Sequence, residues 1–179
     1  SLGYPCETLK EQYRMHPDIA DISSQLFYDG SIRSSVTRSQ RTDPRLSRLW
    51  LNPLIPIHFC EVYEKEDFSG TSYSNRFEYV AVEEHLRMMR NQGLSASEIG
   101  VIAFYDDQVQ ECKRRLKKLG GEVAPFFKKV EVNSVDGFQG REKKYIILSC
   151  VRSNKSLGIG FVDDPRRLNV AITRAQYGL

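Results

Sequence analysis

The chain has 179 residues, 40% hydrophobic and 27% charged: enough for one domain with a sizeable core, too few for two large ones. Lys and Arg outnumber Asp and Glu by 26 to 23, so a net charge of +3 does not by itself announce nucleic-acid binding, and any such reading rests on local clusters. Cys6, Cys60, Cys112 and Cys150 and the scattered histidines exclude zinc-type pairings and suggest reduced thiols in a cytosolic or nuclear protein. The apolar run YIILSCV falls far short of a membrane span, and SLGYPCETLK lacks the basic and apolar regions of a signal peptide.

Residues 1–16 read as an extended lead-in. Pro17 followed by Asp18 opens a short helix, PDIADISSQLFY, and Gly30 closes that region. Residues 31–54, rich in Arg, Ser, Thr and Pro without a sustained period, form a long surface excursion. IPIHFCEV then reads as a buried strand and EKEDFSGTSYS as loop. Asn75 with Glu78 three residues later has the form of a capping box. The helix behind it places Tyr79, Val82, Leu86 and Met89 at helical spacing and ends at Gly93. IGVIAFY (99–105) is a strand, and Asp106 caps a helix with the stripe Val109, Cys112, Leu116 and Leu119, ending at Gly120-Gly121. VEVNSV (130–135) and KYIILSCV (144–151) are two more strands, separated by the polar loop DGFQGRE. A last helix has Asp164 as N-cap and Pro165 in its first turn, and runs through RRLNVAITRA.

Apolar strands alternating with amphipathic helices predict an α/β fold, a parallel sheet with helices on both faces, in one domain over 1–179. Ligands of such sheets bind outside the carboxyl ends of the strands, which points to the loops after 104 and 135. SVDGFQGRE (134–142) lies there. Gly137 and Gly140 permit close backbone approach, while Gln139, Arg141 and Glu142 supply a donor, a cation and an acceptor. A polar turn between strands would have the glycines too, but requires neither Phe138 nor Gln139. In the last helix, 168, 171, 172 and 175 form an apolar stripe, and Arg167 and Arg174, seven residues apart, share a face beside it. They are either solvated edge charges or, for Arg174, a projection to a phosphate, which suits a planar, always charged guanidinium. KRRLKK (113–118) reads as a solvated basic face, and His16, His58 and His85 as structural imidazoles.

LKEQYRMHP, GTSYSNRFE, VNSVDGFQGREKKYIILSCVRSN and GIGFVDDPRRLNVAITRAQYG occur in this order over nearly the whole chain. Together they resemble the second RecA-like domain of superfamily-one RNA helicases of the up-frameshift type, the regulators of nonsense transcripts. The resemblance implies a nucleotide edge in which Gln12 and Tyr13 contact the nucleotide, Tyr13 packing on the base. Arg14 would reach the terminal phosphate, Gly140 would lie near it, Glu142 would bond the ribose, and Arg174 would be the arginine finger. Ser134 would face the nucleic-acid backbone, with Asn75 and Arg76 nearby. The implied ligands are ATP with Mg²⁺, the metal held mainly by a first RecA-like domain of the same chain, and single-stranded RNA or DNA. The implied partners are mRNA-decay factors and no membrane, in a cytoplasmic protein that can shuttle to the nucleus. Two positions depart from the family: Ala103 stands where a threonine usually touches the RNA backbone, and Gln176 where a basic residue is usual.

The sequence contains no G-x-x-x-x-G-K-[ST], so nothing in it cradles phosphates as a P-loop does. It reads as a fragment of a larger helicase, inactive alone, ending at QYGL where the family continues into another strand. Two other classes stay open. Asp136, Glu142 and Lys144 loosely match a D…E-x-K metal site of a nuclease, though the gap is short for the usual strand-to-strand arrangement. A binding module that kept the fold and lost the motor role is the other.

Overall fold

The computed structural model describes residue 7 and residues 9–46, 55–154 and 158–179. The first part of the lead-in, Cys6 and residues 47–54 of the excursion lie outside the described residues. In chain order the elements are β1 (Glu11–Gln12), α1 (Pro17–Phe27), β2 (Arg33–Ser34), β3 (Asp67–Phe68), β4 (Tyr73–Ser74), α2 (Arg76–Asn91), β5 (Ile99–Ala103), α3 (Asp106–Lys118), α4 (Ala124–Lys129), β6 (Glu131–Ser134), β7 (Lys143–Ser149), α5 (Pro165–Ile172) and β8 (Ala175–Gly178).

β6, β5, β7 and β8 form one sheet in that order, every pair parallel. The period of two along β5 divides the core. Ile99, Val101 and Ala103 face the layer made by α2, α3 and α4, where Tyr79, Val82, Leu86, Met89, Val109, Cys112, Leu116 and Phe127 are buried. Ile102, with Ile146 of β7, faces the layer made by α1 and α5, built on Ile19, Ala20, Ala171 and Ile172. The sheet is therefore covered on both faces, as the alternation of elements implies. Gly100 sits under Phe138: a Cβ there would lie 2.7 Å from the Phe138 ring, so the central strand is kept bare to admit that side chain.

Several boundaries differ from the sequence reading, each for a local reason. IPIHFCEV is not a buried strand. Pro56 and His58 exchange two backbone bonds with Leu179, beside the outer edge of β8, and Phe59 is 86% exposed. Within EKEDFSGTSYS, β3 and β4 pair antiparallel as a short hairpin. Residues 124–129 form the helix α4, with Pro125 in its first turn. Asp106 is the first residue of α3 and not its cap; Tyr105 holds that position without a side-chain bond. The last helix stops at Ile172, and Ala175–Gly178, expected to lie partly in that helix, form the strand β8. Among the described residues, no helix is long and apolar enough to cross a membrane.

α1 has an unusual cap. His16 Nδ1 accepts from the Asp18 N–H at 3.1 Å, and burial pushes the imidazole below its usual value, which keeps that nitrogen free to accept. The His16 N–H donates to Gln176 O at 2.7 Å, tying the start of α1 to β8.

Candidate functional site

Glu142 immediately precedes β7 and Arg174 immediately precedes β8, and the Lys143 N–H donates to Arg174 O at 3.0 Å. Both therefore stand at the amino ends of their strands, opposite to the ends the sequence reading selected. Arg14 comes to the same place from the turn after β1: its Nε donates to Glu142 Oε2 and its Nη1 to Thr173 O at 3.3 Å. Gln176 Nε2 donates to the other oxygen, Glu142 Oε1, at 2.7 Å. Arg174 is fixed by three bonds, to Val170 O (3.0 Å), Arg141 O (3.2 Å) and Thr173 Oγ1 (3.1 Å). Burial and the neighbouring Arg14 hold its pKa below the usual guanidinium value, and Glu142 opposes them. Two guanidiniums and one carboxylate leave this edge net positive, with planar donors suited to a phosphate.

Arg174 does not share a helical face with Arg167. Because α5 ends at Ile172, Arg174 lies beyond it, while Arg167 reaches back to Asp136 at 3.0 Å. The two arginines thus serve different ends of the sheet.

A strap positions the remaining groups. The Gln12 amide is fully engaged: Oε1 accepts from the N–H groups of Arg14 and Met15 at 2.9 and 2.8 Å, and Nε2 donates to Met15 O at 2.9 Å and to Ser34 Oγ. Gln12 accordingly shapes the turn that carries Tyr13 and Arg14 and does not present a spare amide to a ligand. Arg41, from the excursion, clamps the same turn by donating to Arg14 O at 2.7 Å and Tyr13 O at 2.9 Å. Sequence reading missed Arg41, which lies in a stretch without periodicity. The Tyr13 ring is 65% exposed, its hydroxyl donating to Glu11 at 2.7 Å.

Residues 135–142 run from the carboxyl end of β6 to the amino end of β7. Phe138, fully buried, anchors the middle of this crossover over β5. Gly137 packs against Asn133 so closely that a Cβ would lie 2.4 Å from Asn133 Oδ1. Gly140 takes φ +79° with open space beside it, and Arg141 pairs with Glu131 at 2.5 Å. Asp136 and Glu142 are consequently drawn to opposite ends of the sheet, each paired with an arginine, and Lys144 pairs with Glu98 at 2.8 Å. They do not converge as a D…E-x-K site requires.

At the carboxyl edge, Ala103 lies between Ser134 and Ser149 in register. Ser134 is half-buried, its hydroxyl accepting from the Gly137 N–H at 3.3 Å, and Arg76 is exposed at the start of α2. Asn75 is different: it is 0% exposed, so the expectation that it lies against a nucleic acid is corrected. Its Oδ1 accepts from the Phe77 and Glu78 N–H groups, capping α2, and its Nδ2 donates to Glu64 O and Val151 O. The capping box is also only half formed. Glu78 does not return to the Asn75 N–H, which instead donates to Gln108 Oε1. The Glu78 carboxylate accepts from Ser149 Oγ at 2.6 Å and the Val151 N–H at 2.8 Å, and burial raises its pKa. These bonds hold Val151, a buried β-branched residue, at φ +71°, a conformation such residues rarely adopt.

A four-stranded parallel sheet covered on both faces, with two arginines at one edge and a glycine-bearing crossover running to the other, has the architecture of a RecA-like domain. Comparison with known proteins agrees. The model of a family described as an AAA domain matches residues 2–179, and the chain belongs to that family. It is 44% identical over 173 residues to the Regulator of nonsense transcripts 1 homolog of Neurospora crassa, covering 96% of this chain and 16% of that protein. It is 45% identical over 180 residues to the Regulator of nonsense transcripts 1 of Caenorhabditis elegans, covering 99% and 17%. It is 44% identical over 181 residues to the ATP-dependent helicase NAM7 of Saccharomyces cerevisiae, covering 100% and 19%. The resemblance to up-frameshift-type domains therefore runs along nearly the entire chain, and the chain spans less than a fifth of the length of these relatives.

Proposed function

We propose that this chain is the second half of a split nucleotide site in an ATP-dependent helicase that works on single-stranded RNA in mRNA surveillance, in the cytoplasm. The observation that carries this reading is the meeting of Arg14, Glu142 and Arg174 at one edge, beside the exposed ring of Tyr13. These groups fit a nucleoside triphosphate: a flat ring for the base, a carboxylate for ribose hydroxyls, and two guanidiniums for the terminal phosphate. A P-loop domain elsewhere in the same protein supplies the phosphate cradle and most of the Mg²⁺ coordination.

In this reading Arg14 and Glu142 neutralise each other until substrate arrives, when Arg14 exchanges its carboxylate for phosphate oxygens and Glu142 turns to the sugar. Arg174, already oriented by three bonds, stabilises charge on the transferred group, a role that contributes ~10³–10⁵ in rate where an arginine finger is used. The crossover 135–142 links this edge to Ser134 at the other, so closing on nucleotide is felt where the nucleic acid lies. Mutating Arg174 in the full-length protein tests the assignment. Arg174→Ala should leave ATP affinity within a few-fold of normal while steady-state hydrolysis with saturating RNA collapses, because a finger acts on the transition state. Near-normal turnover would remove the role and leave Arg174 as a tether between α5 and β8.

A further inference from the structure

We propose that Phe161 and Phe68 are the exposed ends of an aromatic ladder that stacks the bases of single-stranded nucleic acid at the carboxyl edge of the sheet. This rests on the reading that a single strand is held at that edge. Four rings succeed one another there: Phe68 and Tyr73 have centroids 4.7 Å apart, Tyr73 and Tyr105 5.3 Å, and Tyr105 and Phe161 5.0 Å. Arg152 lies 4.2 Å from the Tyr73 centroid and Arg167 4.5 Å from that of Phe161. The inner ring, Tyr105, is buried, whereas Phe68 is 59% and Phe161 50% exposed. Burial in the core accounts for the middle of the ladder and leaves its two ends unexplained.

The outer ring is held in place by a specific local device. Tyr105 Oη accepts from the Phe161 N–H at 3.1 Å, and Gly160 has φ +58° with its missing Cβ position only 2.2 Å from that oxygen. Any side chain at 160 would expel the tyrosine hydroxyl and release the backbone that presents Phe161. The ladder is also continuous with the Ser134 edge. Tyr105 follows β5 by two residues, and Arg167, which lies over Phe161, pairs with Asp136, two residues beyond Ser134.

An apolar helix would seek aliphatic walls, whereas flat rings with an accessible cation beside them suit a π-face carrying a phosphate. Arg152 is buried in its pair with Glu66 at 3.0 Å, so that cation is Arg167, whose partner Asp136 is exposed and can be exchanged for a phosphate. Ala103, which has no hydroxyl to offer a backbone phosphate, leaves room for stacking to carry part of the grip.

The test is equilibrium binding of the full-length protein, without nucleotide, to a fluorescent oligouridine and to an abasic strand of equal length, both at low salt. Phe161→Ala should weaken oligouridine binding roughly 5- to 100-fold and leave the abasic strand unaffected, with an unchanged salt slope. Phe161→Tyr should bind oligouridine normally, and Phe68→Ala should weaken it from the other end. Equal loss for both strands, or no loss for either with both alanine variants, overturns the proposal. Because nothing here is read from ATP turnover, failure of the arginine-finger assignment and failure of the ladder are separate outcomes.

Discussion

Arg14 and Arg174 carry the same group but are held in opposite ways. Arg14 is bound chiefly through a carboxylate that a ligand can replace, with one longer bond to Thr173 O, while Arg174 is bound through two backbone carbonyls and a threonine hydroxyl that stay in place. A lysine at 174 could supply the charge but not three bonds in a plane, so Arg174→Lys should recover little of the hydrolysis lost in Arg174→Ala. Arg115 is the control: it pairs with Glu111 and lies 4.6 Å from the Tyr79 centroid, on the opposite side of the sheet from α5. Arg115→Ala should change RNA-stimulated hydrolysis by less than about two-fold, read against Arg174→Lys in the same steady-state assay. The residues that meet at the amino-end edge stand in the motifs, but their packing was not legible there. Asn75 was legible as a cap but not as a buried residue, because its further partners, Glu64, Gln108 and Val151, come from three other segments. Gln12 similarly looks like a ligand until the turn it closes is seen.

Among the elements, the central strands and α3 followed from periodicity, and α2 and the start of α5 from periodicity with the capping residues Asn75 and Asp164, since those signals are local. The end of α5 did not. Ala175 continues the apolar stripe at helical spacing, yet pairing with Lys143 across the sheet outweighs that local preference. The excursion likewise gave no periodic signal because polar bonds, not an apolar face, secure it. Arg45 joins Asp43 and Glu98 at 2.6 and 2.8 Å, and Lys144 adds a second cation to Glu98. Hydrogen bonding to Arg45 is the main cause holding both carboxyls below their ordinary values, 3.8 for Asp43 and 4.5 for Glu98. A depressed folded pKa contributes stability that is complete above the ordinary value and is lost as pH falls through the folded one. Glu78, raised by burial, has the reverse sign and loses stability as pH rises through its folded value. Glu98→Gln should therefore lower the melting temperature at about pH 7 and narrow the difference between about pH 7 and about pH 3. An unchanged difference would mean that the tie contributes nothing to acid sensitivity.

For the whole molecule, the proposed function divides the labour between the two edges and leaves one domain unable to complete it. The edge proposed for the nucleotide would offer groups for a base, a sugar and a terminal phosphate, but the sequence has no P-loop to orient the chain of phosphates between them. Rate enhancement in phosphoryl transfer comes almost entirely from positioning and charge stabilisation, so a site with half of its positioning groups does not give a fraction of the rate. This chain alone should bind ATP weakly and hydrolyse it no faster than buffer, with or without RNA. Adding the P-loop domain, covalently joined, should restore RNA-stimulated turnover. Binding to single strands should survive in the isolated chain, because Ser134, Arg76 and the aromatic ladder all belong to it, and should weaken as salt rises. The decisive measurement is phosphate release from the isolated chain at saturating RNA beside the joined pair. RNA-stimulated turnover from the isolated chain, lost on Arg174→Ala, would mean that the amino-end cluster is a complete site and that the division between domains is wrong.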